Sequence, residues 1–173
     1  MKDVINFAKK AHEGQKRKYT SEPYITHPVS VSKILKKLHP EATDSMVYAA
    51  ILHDTVEDTE VTIDQIREQF GDVVADFVYW LTDQSLPSDG NRAARKAIDR
   101  EHTAKAPANA QIIKLADLID NSSSIVTHDK KFARVYLKEK ALILDALRDE
   151  VKETDIYQYA RAVLKESEEK LNE

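Results

Sequence analysis

Residues 44–59 read D-S-M-V-Y-A-A-I-L-H-D-T-V-E-D-T, from Asp44 to Thr59. Met46, Val47, Ala50, Ile51 and Leu52 are apolar on more than one side of a helix, which marks a segment buried among other helices. Thr43 or Asp44 can cap its start. Beyond Leu52, one imidazole and three carboxylates crowd together as His53, Asp54, Glu57 and Asp58. If the helix from Asp44 to Val56 runs on into Asp58, His53 and Glu57 share one face at i, i+4, and Asp54 and Asp58 share another. Adjacent helical positions point roughly 100° apart, so His53 and Asp54 reach a common ion only from either side of a shared ridge. Acidic groups at that end oppose the helix dipole by about 0.3–1 kcal/mol each, which weighs against a merely solvated face.

Working outward, the 3.6-residue period recurs on both sides. Val4, Phe7, Ala8 and Ala11 give a helix over residues 2–13 that stops near Gly14. Gln15 to His27 reads as a loop, and Pro28 suits the first turn of a helix carrying Val31, Ile34, Leu35 and Leu38. Thr62 to Gln65 has capping-box form for a helix to Phe70, and Val74, Phe77, Val78 and Leu81 mark another after Gly71. Asn91 to His102 is a polar, basic helix or ordered loop. Ala108 to Asn121 is helical with Asp117 and Asn121 one turn apart, followed by a Ser-rich loop. Phe132 to Leu147 gives a long helix, and Ile156 to Leu164 the core of a last one. No segment alternates as a strand, and there are no repeats or heptads. The expectation is an all-α chain, a single compact bundle of about eight to ten helices. Its one domain covers residues 1–173, with a core over about 3–150 and a C-terminal helix over about 155–172.

With 173 residues, 42% hydrophobic and 32% charged, the chain has the composition of an ordinary soluble protein with one real core. The absence of cysteine excludes disulfides, thiolate metal sites and a cysteine nucleophile, so any metal takes N and O ligands. No apolar run spans a membrane and the N-terminus lacks a signal-peptide core, so we expect a cytoplasmic protein with no membrane partner. Residues 41–90 carry one Lys/Arg against twelve Asp/Glu, whereas residues 1–40 carry nine against three. Folded together, these segments would put a cation site beside groups that hold phosphate. A pI near 5.9 and the lack of a basic stripe argue against duplex nucleic acid as a partner.

Four pieces thus converge: His27 before a helix, His53-Asp54 with Glu57-Asp58, Asp117 with Asn121, and the basic loop at Arg17-Lys18. The order H…HD…D resembles the HD superfamily of metal-dependent phosphohydrolases. The flanking words are narrower: Ala11-His12-Glu13-Gly14-Gln15-Lys16-Arg17-Lys18, Pro23-Tyr24-Ile25-Thr26-His27-Pro28, Ile51 to Thr59, Phe70-Gly71 and Lys114-Leu115-Ala116-Asp117. They are similar to the hydrolase domain of RelA/SpoT homologues, above all the stand-alone small alarmone hydrolases, over roughly residues 3 to 150. The resemblance implies an HD-domain fold in which His27, His53, Asp54 and Asp117 hold one divalent ion, usually Mn²⁺. Fe²⁺, Zn²⁺ or Co²⁺ also suit such ligands. It further implies that Glu57 moves the proton and Asp58 orients the attacking water, roles they could trade. Arg17, Lys18 and Asn121 would hold substrate, with Arg134 and Tyr136 near its ribose and phosphates.

The implied activity is Mn²⁺-dependent removal of the 3′-pyrophosphate from (p)ppGpp or (p)ppApp, a phosphoric diester hydrolysis. Glu22, where the family often has Gly, and Asp120, where many members carry an aromatic residue, bear on substrate choice. A nucleotide monophosphatase or NADPH 2′-phosphatase is therefore an alternative. A non-catalytic alarmone sensor is another, although every expected position holds a competent residue. The remaining histidines read as non-ligating: His12 as a structural or supporting group, and His39, His102 and His128 as exposed. Oligomeric state is left open, including a homo-oligomer.

Overall fold

The computed structural model of the chain describes residues 1–172. Its helices run in the order α1 Lys2–Ala11, α2 Thr26–Leu38, α3 Asp44–Leu52, α4 Thr55–Asp58, α5 Ile63–Phe70, α6 Asp72–Leu81, α7 Arg92–Lys105, α8 Ala108–His128, α9 Lys130–Ala146, α10 Asp149–Lys152 and α11 Asp155–Asn172. A 3₁₀ turn, Pro87–Asp89, precedes α7. The only extended pairing among the described residues is an isolated antiparallel bridge between Lys16 and Pro23, which pinches the first loop. No helix among them is long and apolar enough to cross a membrane.

Local chemistry accounts for the helix starts. The Thr43 hydroxyl accepts from the Met46 amide at 3.3 Å. Thr62 and Gln65 form the reciprocal capping box. Asn91 caps α7 through the Ala94 amide at 3.0 Å, and Asp129 caps α9 through the Phe132 amide at 3.0 Å. Gly71 joins α5 to α6 at φ 90°, a left-handed position that favours glycine.

Helix α8 is the axis of the bundle. It packs against α2, α3, α6, α9, α10 and α11, and buries Ile113, Leu115 and Leu118 almost completely. Burying a side chain of that size contributes about 1.5–3 kcal/mol. Because α2, α3 and α8 meet, residues far apart in the chain share one region of the core.

Two expectations need correction. The segment from Asp44 to Asp58 is not one helix: α3 stops at Leu52 and α4 starts at Thr55. Side chains take the carbonyls that a continuing helix would use. The Thr55 hydroxyl donates to the Leu52 carbonyl at 2.7 Å, and His53 Nδ1 donates to the Ala50 carbonyl at 2.9 Å. Asp54 sits at φ −93°, ψ −5°, in the bridge region. Conversely, the Ser-rich stretch after Asn121 is helical to His128. Ser122 returns its hydroxyl to the Leu118 carbonyl at 2.7 Å, so it satisfies itself inside the helix. Asn91 to His102 also resolves in favour of a helix, α7.

Candidate metal centre

The break between α3 and α4 lets the neighbours His53 and Asp54 turn toward one point, with His53 Nε2 3.0 Å from Asp54 Oδ2. Helix α2 brings His27 to the same place, its Nε2 3.5 Å from Asp54 Oδ2 and 3.2 Å from Asp117 Oδ1. Asp117, on α8, also lies 3.6 Å from His53 Nε2. Ligand atoms of His27, His53 and Asp54 all fall within 4.8 Å of one another, and the two imidazole rings meet nearly edge to face at 5.2 Å. His27, His53 and Asp117 are buried and Asp54 is nearly so.

Hydrogen bonds determine what this cluster can hold. A backbone carbonyl only accepts, so His53 Nδ1 carries the hydrogen and its Nε2 presents a lone pair. That buried Nε2 has no hydrogen-bond partner. His27 Nδ1 lies 2.6 Å from Asp120 Oδ2, which likewise turns the His27 Nε2 inward as an acceptor. Two lone-pair nitrogens therefore face two anionic oxygens in a buried space, an arrangement that only positive charge relieves. With N and O donors alone, a borderline divalent ion such as Mn²⁺, Fe²⁺, Zn²⁺ or Co²⁺ fits the set.

The electrostatics agree. Burial disfavours a charged His53, but Asp54 and Asp117 outweigh it and hold its pKa well above the ordinary imidazole value. His27 is raised in the same way, burial being overcome by Asp117 and Asp120. Burial also opposes ionisation of Asp54, Asp117 and Asp120. His53 nevertheless keeps Asp54 below the usual carboxylate range, Lys114 does so for Asp117, and His27 for Asp120. The same field that retains a proton there retains a dication.

Supporting groups surround the cluster. The Tyr24 hydroxyl donates to Asp54 Oδ2 at 2.6 Å. The Asn121 amide donates to Asp117 Oδ1 at 2.7 Å, and Lys114 Nζ lies 3.3 Å from Asp117 Oδ2. Arg17 reaches across to α8, 3.3 Å from both Asn121 Oδ1 and Asp120 Oδ2. A cavity of about 200 Å³ opens beside these groups, lined by Arg17, Lys18, Tyr19, Tyr24, Asn121, Ser124, Ile125 and Phe132. Lys18 lies over the Tyr19 and Phe132 rings at 5.0 and 5.6 Å. Cationic, aromatic and amide groups thus border the cluster.

Glu57 is exposed, yet the protein packed around it and the Asp83 carboxylate push its carboxyl up to about 7. Its Oε2 accepts the Asp83 amide hydrogen at 3.1 Å. Asp58 is raised by partial burial and by Asp54. Gln15 donates to the Asp58 carbonyl at 2.9 Å, which ties the first loop to α4.

One of the anticipated substrate groups lies elsewhere. Arg134 is exposed and donates to the Leu171 carbonyl at 3.1 Å, which places it against the end of α11 and not among the cavity residues. Tyr136 is buried at 6.2 Å from Phe132, a ring of the cavity wall, and the charges of Asp117, Lys114 and Arg17 act on its hydroxyl, which places it beside the cluster. Among the other histidines, His12 is buried with Nδ1 2.8 Å from Gln15. His39, expected on the surface, is buried and lies 3.2 Å from Glu41. Tyr24, Lys114 and Asp120 are supporting groups that periodicity alone does not single out. Lys114 and Asp120 do stand three residues either side of Asp117, on one helix face.

A family model described as an HD domain matches residues 5–143. The chain belongs to the HD domain family. Its HD relatives include the guanosine-3′,5′-bis(diphosphate) 3′-pyrophosphohydrolase MESH1 of Danio rerio, 39% identical over 122 residues, which cover 69% of this chain. The match spans 65% of the length of that relative. The GTP pyrophosphokinase of Streptomyces coelicolor is 40% identical over 115 residues, 66% of this chain but 13% of that enzyme. A solved structure of a metazoan SpoT orthologue, described as hydrolysing ppGpp, superposes with a TM-score of 0.84 at 26% identity. That superposition covers 95% of this chain and 93% of the other. The HD architecture is therefore shared over nearly the whole chain.

Proposed function

We propose that this HD protein is a metal-dependent hydrolase that removes the 3′-pyrophosphate from guanosine 3′,5′-bis(diphosphate) or its adenosine counterpart. The observation that carries the reading is the pair of inward-facing Nε2 atoms opposite Asp54 and Asp117, next to a cavity bordered by Arg17 and Lys18. The activity carried in the MESH1 name supports the same substrate class.

His27, His53, Asp54 and Asp117 would hold one Mn²⁺ ion. When bound, such an ion supplies Lewis acidity and makes water a competent nucleophile near neutral pH. Glu57, with a carboxyl near 7, is matched to take a proton from the attacking water, and Asp58 orients that water. The new O–P bond forms at the 3′ phosphorus, the P–O3′ bond breaks, and the departing 3′ oxygen takes up a proton. Arg17 and Lys18 bind the nucleotide's phosphates. Asn121 keeps Asp117 oriented while presenting its own oxygen to Arg17.

The test is to strip the protein with chelator, restore Mn²⁺, and identify products from ppGpp, ppApp and NADPH. Pyrophosphate with the 5′-diphosphate nucleotide is expected from an alarmone. Orthophosphate from NADPH alone would assign the phosphatase alternative. Alarmone binding without turnover would assign the sensor.

A further inference from the structure

We propose that Asp120 is a positioning residue with two opposed effects: it fixes His27 for the metal ion and restrains Arg17 from the nucleotide's phosphates. The inference rests on the proposed metal-dependent hydrolysis and deepens it.

The geometry is that of a clasp between two helices. His27 and Ser30 lie one turn apart on α2, and Asp117 and Asp120 one turn apart on α8. Asp120 Oδ2 meets His27 Nδ1 at 2.6 Å, and Ser30 donates to Oδ1 at 2.5 Å. Ser30 therefore orients the carboxylate that in turn orients the ring. A carboxylate behind a metal-binding imidazole fixes its tautomer and raises the basicity of its other nitrogen.

The same Oδ2 lies 3.3 Å from Arg17 Nη2. That contact is longer than the roughly 2.7–2.9 Å of a strong charge-assisted bond, so it restrains Arg17 without consuming it. A phosphate arriving at Arg17 meets a guanidinium already shared with a carboxylate, and repulsion from Asp120 opposes it. One side chain thus tightens the ion site and loosens the anion grip.

Opposite signs make the test sharp. Mn²⁺ affinity is measured by calorimetry on nucleotide-free protein for the wild type, Asp120→Asn and Asp120→Ala. GDP affinity is then measured as competitive inhibition at saturating Mn²⁺. Asp120→Ala should weaken Mn²⁺ binding by about 10- to 100-fold. Asp120→Asn should weaken it less, because its amide oxygen still accepts from His27 Nδ1. GDP should bind at least about threefold tighter to both variants, and the gain should vanish in an Arg17→Ala background. Unchanged Mn²⁺ affinity in Asp120→Ala, or unchanged or weaker GDP binding in Asp120→Asn, overturns the proposal. Asp120→Asn is nearly isosteric and carries the test if the alanine variant does not fold. Wild-type protein that binds Mn²⁺ and cleaves ppGpp beside Asp120 variants whose Mn²⁺ and GDP affinities match its own sinks this inference alone. Wild-type protein that takes up no ion sinks the functional reading as well.

Discussion

His53 gives its Nδ1 hydrogen to Ala50, and that bond leaves its buried Nε2 with a cation as its natural partner. Substituting His53 or Asp117 by alanine should therefore abolish stoichiometric Mn²⁺ uptake, read by elemental analysis of gel-filtered protein. Glu57 plays a different part. Glu57→Gln should lower kcat by about 100- to 10,000-fold while leaving Mn²⁺ affinity near wild type. The catalytic form of Glu57 is the carboxylate, so kcat/KM should rise with pH through an acidic limb at or below about 7, because a bound cation favours the charged form. Asp83→Asn removes a charge that raises Glu57, and should move the limb to lower pH. The order H…HD…D, through its resemblance to the HD superfamily, implies His27, His53, Asp54 and Asp117 as the ligand set. Asp120 was harder to read, since its partner His27 is 93 positions away and only the packing of α2 on α8 joins them. Arg134 is hard to place for the complementary reason: a cation on a helix surface takes whichever acceptor packing supplies, here the Leu171 carbonyl.

Among the helices, the break at His53-Asp54 does what periodicity could not foretell. A uniform helix would separate the two side chains by about 100°, whereas the turn brings their ligand atoms to 3.0 Å. Thr55→Val removes the hydroxyl that occupies the Leu52 carbonyl while preserving shape. It should allow α3 to continue and weaken Mn²⁺ binding, with helical content retained in circular dichroism. At the α5–α6 junction, Gly71→Ala forces a side chain into φ 90° and should cost about 1–3 kcal/mol in urea unfolding. The caps at Thr43 and Thr62 were legible because a threonine before an apolar run has one physical role there. The helical serines after Asn121 were not, because a hydroxyl that serves a turn equally serves the carbonyl four residues back.

For the molecule as a whole, the buried charges link stability to pH and to the ion. In ion-free protein the raised imidazole pKa values mean stabilisation that is full at low pH and lost as pH climbs through them. A divalent ion takes over that role, and protons compete with it. Mn²⁺ at a hundred times its dissociation constant adds about 2.7 kcal/mol. The rise in Tm on adding a fixed Mn²⁺ concentration to chelated protein should therefore be larger at pH 8 than at pH 6. The wider architecture was readable because eleven helical segments without a strand among the described residues leave few ways to bury so many aliphatic side chains.

Lys114, Asp117, Asp120 and Asn121 all ride on α8. Deleting one residue between Ala108 and Lys114 would swing the four together through about 100° relative to whatever still anchors the preceding turn. The loop holding Arg17 and Lys18, outside every helix, can change length without that penalty. Divergence in what the pocket accepts is thus channelled into the loop, while the rod behind it stays in register.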